Sequence, residues 1–130
     1  MPDTTEILRK YKTIAVVGLS NNPMRPSHGV SEYMQQHGYR IIPVNPGHSQ
    51  ILGEKSYRTL EEIPEPVEIV NIFRRSEMTP PVVDSAIAIG AKVVWMQQGI
   101  EHEEAAEKAR AAGLDVVMDT CILQAHHRLR

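Results

Sequence analysis

Cysteine is almost missing from this chain. Cys121 is the only one among 130 residues, so no internal disulfide can form, which fits a reducing compartment. Aromatic residues are also sparse: one tryptophan, one phenylalanine and four tyrosines are too few for a stacking platform that would hold single-stranded nucleic acid. Neither sign of charge predominates. A formal net charge of −2 and a pI near 6.3 remove any bulk attraction to nucleic acid or to an anionic membrane. No apolar run approaches the ~20 residues that span a bilayer. The opening stretch MPDTTEILRK lacks the basic and apolar regions of a secretory signal. These absences set the expectation of a cytoplasmic protein with neither nucleic acid nor membrane as partner. At 130 residues, positions 1–130 are expected to form a single domain.

What is present alternates between two periodicities. Residues 3–11 read as a leading helix, and the β-branched run Ile14-Ala15-Val16-Val17 as a strand that ends at Gly18. From Ser27 to His37, Val30, Tyr33 and Met34 fall at i, i+3 and i+4, the spacing of one helical stripe, and Gly38 suits a left-handed cap. Tyr39–Val44 is a second strand, stopped by Asn45-Pro46-Gly47. An irregular stretch with one possible helical turn at Thr59–Glu62 leads to a third strand, Val67–Phe73. Thr79 is placed to cap a helix that opens on Pro80 and closes at Gly90. A fourth strand (Lys92–Met96), a helix (Glu101–Ala112), a fifth strand (Leu114–Met118) and a short helix (Thr120–His127) complete the chain. Strands alternating with helices predict an α/β, Rossmann-like three-layer fold. Its five-stranded parallel sheet is expected in the order 3-2-1-4-5, with the ligand site beyond the carboxyl ends of the strands.

That edge gathers donors and cations but little acid–base or nucleophilic apparatus. The first loop supplies Gly18, Leu19, Ser20, Asn21, Pro23, Arg25, Pro26 and Ser27, in the position of a phosphate-binding loop before a helix N-terminus. The other strand ends add Val44, Asn45 and Pro46; Phe73, Arg74, Arg75 and Ser76; Gln97, Gln98 and Gly99; and Asp119, Thr120 and Cys121. Arginines after a buried strand can grip phosphate in bidentate fashion, and the Ser20 and Ser27 hydroxyls with the loop N–H groups would complete an anion cradle. A dinucleotide fingerprint would read G-x-G-x-x-G here; this chain has Ser20 and Pro23 in place of the second and third glycines. Nor does the second strand end on the carboxylate that binds a ribose diol, since Val44 leads into Asn45 and Pro46. NAD is therefore disfavoured. NADP stays open, because Arg74 or Arg75 can read a 2′-phosphate, and with it a small oxidoreductase.

The segments IAVVGLSNNPMRPS, YRIIPVNPG, ILGEKSYRTLEEIP, EIVNIFRRSE, AIGAKVVWMQQGI and AGLDVVMDTC closely resemble the small stand-alone CoA-binding proteins. These are similar in turn to the CoA-binding domain of the succinyl-CoA synthetase α subunit. The resemblance runs from about residue 6 to 127 and implies a Rossmann-like domain that binds coenzyme A. Gly18–Ser27, Val44–Pro46 and Phe73–Ser76 would lie around the ligand. Coenzyme A brings a diphosphate and a 3′-phosphate for Arg25, Arg74 and Arg75, and a pantetheine arm that would lie along Pro46, Phe73 and the Gln97–Gly99 loop. The synthetase's phosphorylatable histidine lies in a second domain that this chain lacks, so ligase activity does not carry over. The implied role is reversible binding of coenzyme A or a short acyl-CoA, as carrier, sensor or partner to another enzyme, with a protein partner or homo-oligomer possible.

Other residues invite chemistry. Cys121 can exchange with a thiol ligand, against the simpler reading of a small buried hydrophobe at a helix start. The neighbouring His126 and His127 point about 100° apart on a helix and suit a solvated terminus better than a shared metal. His28 is either a ligand contact or a first-turn residue, and His37, His48 and His102 read as surface. The acidic run Glu101, Glu103, Glu104 and Glu107 reads as a solvated helix face. Asp119 is the one carboxylate on the binding edge and is placed to cap the last helix or orient a loop.

Overall fold

The computed structural model describes residues 2–129. The main strands are β1 (Thr13–Val17), β2 (Arg40–Val44), β5 (Ile69–Ile72), β6 (Val93–Met96) and β7 (Asp115–Val117). Two short strands, β3 (Gln50–Ile51) and β4 (Glu54–Lys55), form an antiparallel hairpin that the sequence did not announce. The helices are α1 (Thr4–Lys10), α2 (Pro26–Gln36), α3 (Thr79–Ala88), α4 (Glu103–Ala111) and α5 (Ile122–His127), with 3-10 turns at Leu60–Glu62 and Ser76–Met78.

The five main strands are all parallel and run β2-β1-β5-β6-β7. The expected order holds in one sense only. Val67–Phe73 was to lie outside the second strand; instead β5 pairs with the opposite edge of β1. The place beyond β2 is taken by Tyr57, which makes a single parallel bridge to Val44; its N–H donates to Pro43 O and its carbonyl accepts from Asn45 N–H. Counting Tyr57 as the third element gives 3-2-1-4-5-6, the expected order with one strand more. The reason lies in Pro43, which has no N–H to give a ladder and belongs on or next to a sheet edge. The chain leaves β1 in one direction for β2 and in the other for β5. The switch point, where a crevice opens, therefore falls between the carboxyl ends of β1 and β5.

Successive side chains along each strand face opposite layers. Ala15, Val17, Ile42, Val44, Val70, Ile72, Val94, Met96 and Val116 pack against Val83 and Ala86 of α3 and Ala105, Ala106 and Ala109 of α4. Ile14, Val16, Ile41, Ile69, Val93, Trp95 and Val117 face Ile7 and Leu8 of α1, Met34 of α2, and Ile122 and Ala125 of α5. Three layers result, and continuous apolar strands follow because both sheet faces are covered. Gly38, Gly90 and Gly113 each follow a helix with positive φ, the geometry that ends it.

Details differ from expectation. In α2 the buried face is Ser27, Ser31 and Met34, with Val30 and Tyr33 only partly covered. Thr79 is the first residue of α3, not its cap; its hydroxyl is fully buried and unpartnered. His102 is not a surface residue but the N-cap of α4, accepting from Ala105 N–H at 3.1 Å through Nδ1.

His126 is likewise no solvated terminus. Its Nδ1 lies 2.9 Å from the Tyr33 hydroxyl, and its ring meets those of Tyr33, His37 and Tyr39 edge-on. Burial, followed by nearby His37, Lys12 and His127, lowers its pKa from the usual value near 6.5. The unfolded chain then binds a proton that the folded one resists, so stability should fall as pH drops below about 6.5. We expect the urea midpoint to decline between pH 7.5 and 5.5 and the decline to flatten in His126→Gln. An equal slope in both proteins would remove His126 as the cause.

Arg40 ties the hairpin to the proline-rich loop, donating to Glu54 at 2.7 Å and to both oxygens of Glu65. The hydrogen bond from Arg40 depresses the Glu65 pKa. This contribution is present above the ordinary glutamate pKa and disappears as pH falls through the lowered one. Both side chains are more than a third exposed, so it is worth under about 1 kcal/mol.

Candidate functional site

The first loop is held by its own polar groups. Ser27 Oγ, at the start of α2, accepts from Ser20 N–H at 2.9 Å; Ser20 Oγ accepts from Asn22 N–H, and Asn22 Oδ1 from Met24 N–H. The serine oxygens and most loop N–H groups are therefore engaged in the loop's own shape. What remains are the Ser20 and Ser27 hydroxyl hydrogens, free to donate because both oxygens act as acceptors. The N–H groups of Asn21 and Ser27 also remain. No side chain caps α2, so its positive end is open to an anion.

Asn45 fixes this loop to the end of β2. Its Nδ2 donates to Leu19 O at 2.9 Å, while its Oδ1 accepts from Gly47 N–H at 2.8 Å. An aspartate would keep the second bond and lose the first. We expect Asn45→Asp to cost about 1–3 kcal/mol of stability, read as a lower urea midpoint at unchanged slope. An unaltered midpoint would show that the strap carries nothing.

Gly18 lies at the switch point itself. Its N–H donates to Val44 O, its φ is +91°, and a Cβ there would come within 2.5 Å of Phe73 O and 3.2 Å of Arg74 Cδ. The loop can only cross β5 this closely without a side chain.

Three cavities adjoin along the carboxyl edge. One, about 360 Å³, is the cradle: Gly18, Ser20, Asn21, Arg25, Pro26, Ser27, Asn45, His48 and Phe73. A second, mainly apolar cavity of about 240 Å³ lies between the end of β2 and α3, lined by Val44, Pro46, Leu60 and Val82 together with Arg58, Glu61 and Arg74. A third, about 480 Å³, runs past Val30, Phe73, Arg74, Arg75, Gln97, Gln98, Ile100 and Cys121. Arg74 borders the second and the third and forms no ion pair among the described residues.

The structure sorts the expected residues. Val44, Asn45, Pro46, Phe73, Arg74, Arg75, Gln98 and most of the first loop line the three cavities. Leu19 contributes only backbone, its side chain being fully buried beneath. Pro23, Ser76 and Gly99 line none of the three. The Ser76 hydroxyl instead accepts from Glu101 N–H, and Gly99 N–H donates to Asp119 Oδ1 at 2.7 Å, so Asp119 does orient a loop. Arg75 reaches Glu77 at 3.2 Å, both highly exposed, which weakens its part in a clamp. His28 sits in the first turn of α2 and lines none of the three either. Sequence reading missed Arg58, His48 and Leu60. Arg58 follows the Tyr57 bridge, and only that pairing brings it beside Arg74.

Among known proteins, residues 12–127 match the family described as CoA binding domain. The uncharacterized protein YneT of Bacillus subtilis is 50% identical over 93% of this chain and 90% of its own length. A solved hypothetical protein from Pyrococcus horikoshii is 42% identical, superposing with a TM-score of 0.95 over 98% of this chain and 89% of that one. Acetate–CoA ligase [ADP-forming] II of Archaeoglobus fulgidus is 30% identical over 79% of this chain, which spans 16% of the ligase. Match, identity and the switch-point crevice agree: this chain belongs to the CoA binding domain family.

Proposed function

We propose that this chain binds coenzyme A reversibly along the carboxyl edge of its sheet, acting as carrier, sensor or partner and not through chemistry of its own. The observation that carries this reading is that three cavities of different character share one edge. The polar cradle and the long groove have Pro26 and Phe73 in common, and the groove meets the apolar recess at Arg74. Coenzyme A has the matching parts: an adenosine, charged phosphates and an extended, weakly polar arm. The recess suits the adenine, and Arg58 and Arg74 at its rim suit the 3′-phosphate. Arg25, the hydroxyls of Ser20 and Ser27 and the open end of α2 suit the diphosphate. Phe73 and Gln98 run beside the arm. Pro46 belongs with the adenine side instead, since it shares its cavity with Leu60 and not with Gln98.

The edge offers arginines, amides and hydroxyls, and the carboxylate at the end of β7, Asp119, is engaged to Gly99 N–H. Both polar atoms of the Asn45 side chain are committed to the backbone, so the end of β2 presents nothing to a ribose diol. That argues against NAD as the ligand; NADP, with a 2′-phosphate in place of the diol, is separated from coenzyme A by the measurement below.

Thermal denaturation tests the proposal. At a hundredfold excess over Kd, coenzyme A should add about 2.7 kcal/mol, a rise on the order of 10 °C. Dephospho-coenzyme A should give less and NADP nothing. A rise with NADP and none with coenzyme A would reverse the reading.

A further inference from the structure

We infer that Cys121 is an exchange site for coenzyme A in its disulfide form; the inference rests on the coenzyme A reading above. Cys121 precedes α5 and is partly exposed, not the buried hydrophobe a cysteine at a helix start suggests. It forms part of the wall of the long groove and also of an adjoining polar pocket of about 200 Å³ that includes Asp119, Gln124 and Arg128. The cradle lies between β1 and β5, and the two strand spacings from β5 to β7 cover ~10 Å. The pantetheine arm, with two amide links, matches about four extended residues, or ~13 Å. From a diphosphate held at the α2 end, the terminal sulfur therefore arrives at the end of β7, where Cys121 stands.

Gln97 points to a ligand independently. It is 4% exposed, lines the same groove, and uses Oε1 to accept from Ile122 N–H at 2.9 Å. Its side-chain NH₂ has no acceptor among the described residues. The rest of the residue is buried, so this donor opens on the groove and not on the interior, where a carbonyl from the occupant can take it. An amide of the pantetheine arm supplies one at β6, a single strand short of the thiol.

The chemistry balances without an outside oxidant. The Cys121 thiolate attacks the seated sulfur of coenzyme A disulfide, and a new S–S bond forms as the old one breaks. The other half leaves as a thiolate and takes up the proton that Cys121 released, with the polar pocket as its way to solvent. One thiol and one disulfide enter; one of each leaves.

Since Cys121 is the chain's only cysteine, intact mass reads the site without a variant. Calorimetry with reduced coenzyme A comes first and establishes the binding site. Non-reducing mass spectrometry then follows the protein with ~10 µM coenzyme A disulfide or with oxidised glutathione. Seating raises the effective concentration to the order of millimolar, so the coenzyme A adduct should form on the order of a hundredfold faster than the glutathione adduct. Dithiothreitol should remove it. Where calorimetry shows binding, equal rates for the two reagents, or no adduct, overturn the exchange site. Absence of binding heat brings down the site reading itself, so the two failures are told apart.

Discussion

Replacing Arg74 with alanine should weaken coenzyme A binding by about 10- to 100-fold and leave the melting temperature unchanged. The expectation follows from where the guanidinium lies. Its backbone directly follows Phe73, whose N–H bonds to Val17 O at 2.9 Å, so the residue is anchored to β1 by the sheet itself. Its side chain is exposed, spans the rims of the apolar recess and the long groove, and has no carboxylate partner. Hydrogen bonds to a charged group are worth about 1.5–3 kcal/mol, and 1.4 kcal/mol is tenfold in affinity. Nothing in the fold depends on the charge, hence the unaltered stability. Arg75→Ala, whose guanidinium already meets Glu77 in solvent, should cost much less. Calorimetric titration of both variants checks the contrast. Equal losses would mean that the two arginines act as one diffuse patch.

Gly18→Ala should destabilise the protein by about 2–4 kcal/mol and abolish binding in whatever fraction still folds. Two costs add. A φ of +91° is disfavoured for any residue with a side chain, by about 1–2 kcal/mol. A methyl 2.5 Å from Phe73 O must also push β1 and β5 apart at the one place where the crevice needs them close. The contact is with backbone in the middle of the sheet, so no flexible side chain can yield. Chemical denaturation measures the loss directly. A variant within about 0.5 kcal/mol of the parent would show that the loop relaxes freely, and the close crossing would lose its meaning.

Much of this was legible in the chain. The run Ile14–Val17 before Gly18, the helical spacing after Ser27 and the arginines after Val67–Phe73 placed the crevice and its cations, because periodicity and glycine report local geometry well. What the sequence hid was pairing at a distance. Nothing local says that a lone Tyr57 fills the outer place while β5 pairs with the far side of β1. Arg58 was invisible for the same reason: it stands beside Arg74 only through that bridge. The bracing part of Ser20 and Ser27 was hidden because residue type shows that a hydroxyl is present, not which partner its oxygen takes; here each oxygen also holds the loop. His126 near the chain's end looked solvated until α5 was seen packed on Tyr33, His37 and Tyr39.

The central claim is that the switch-point edge is built for coenzyme A. Isothermal titration of the reduced protein with coenzyme A, and separately with NADP, tests it most directly. The account predicts one site per chain with a micromolar Kd for coenzyme A, about −8 kcal/mol, and no heat with NADP. Heat with NADP and none with coenzyme A would contradict it.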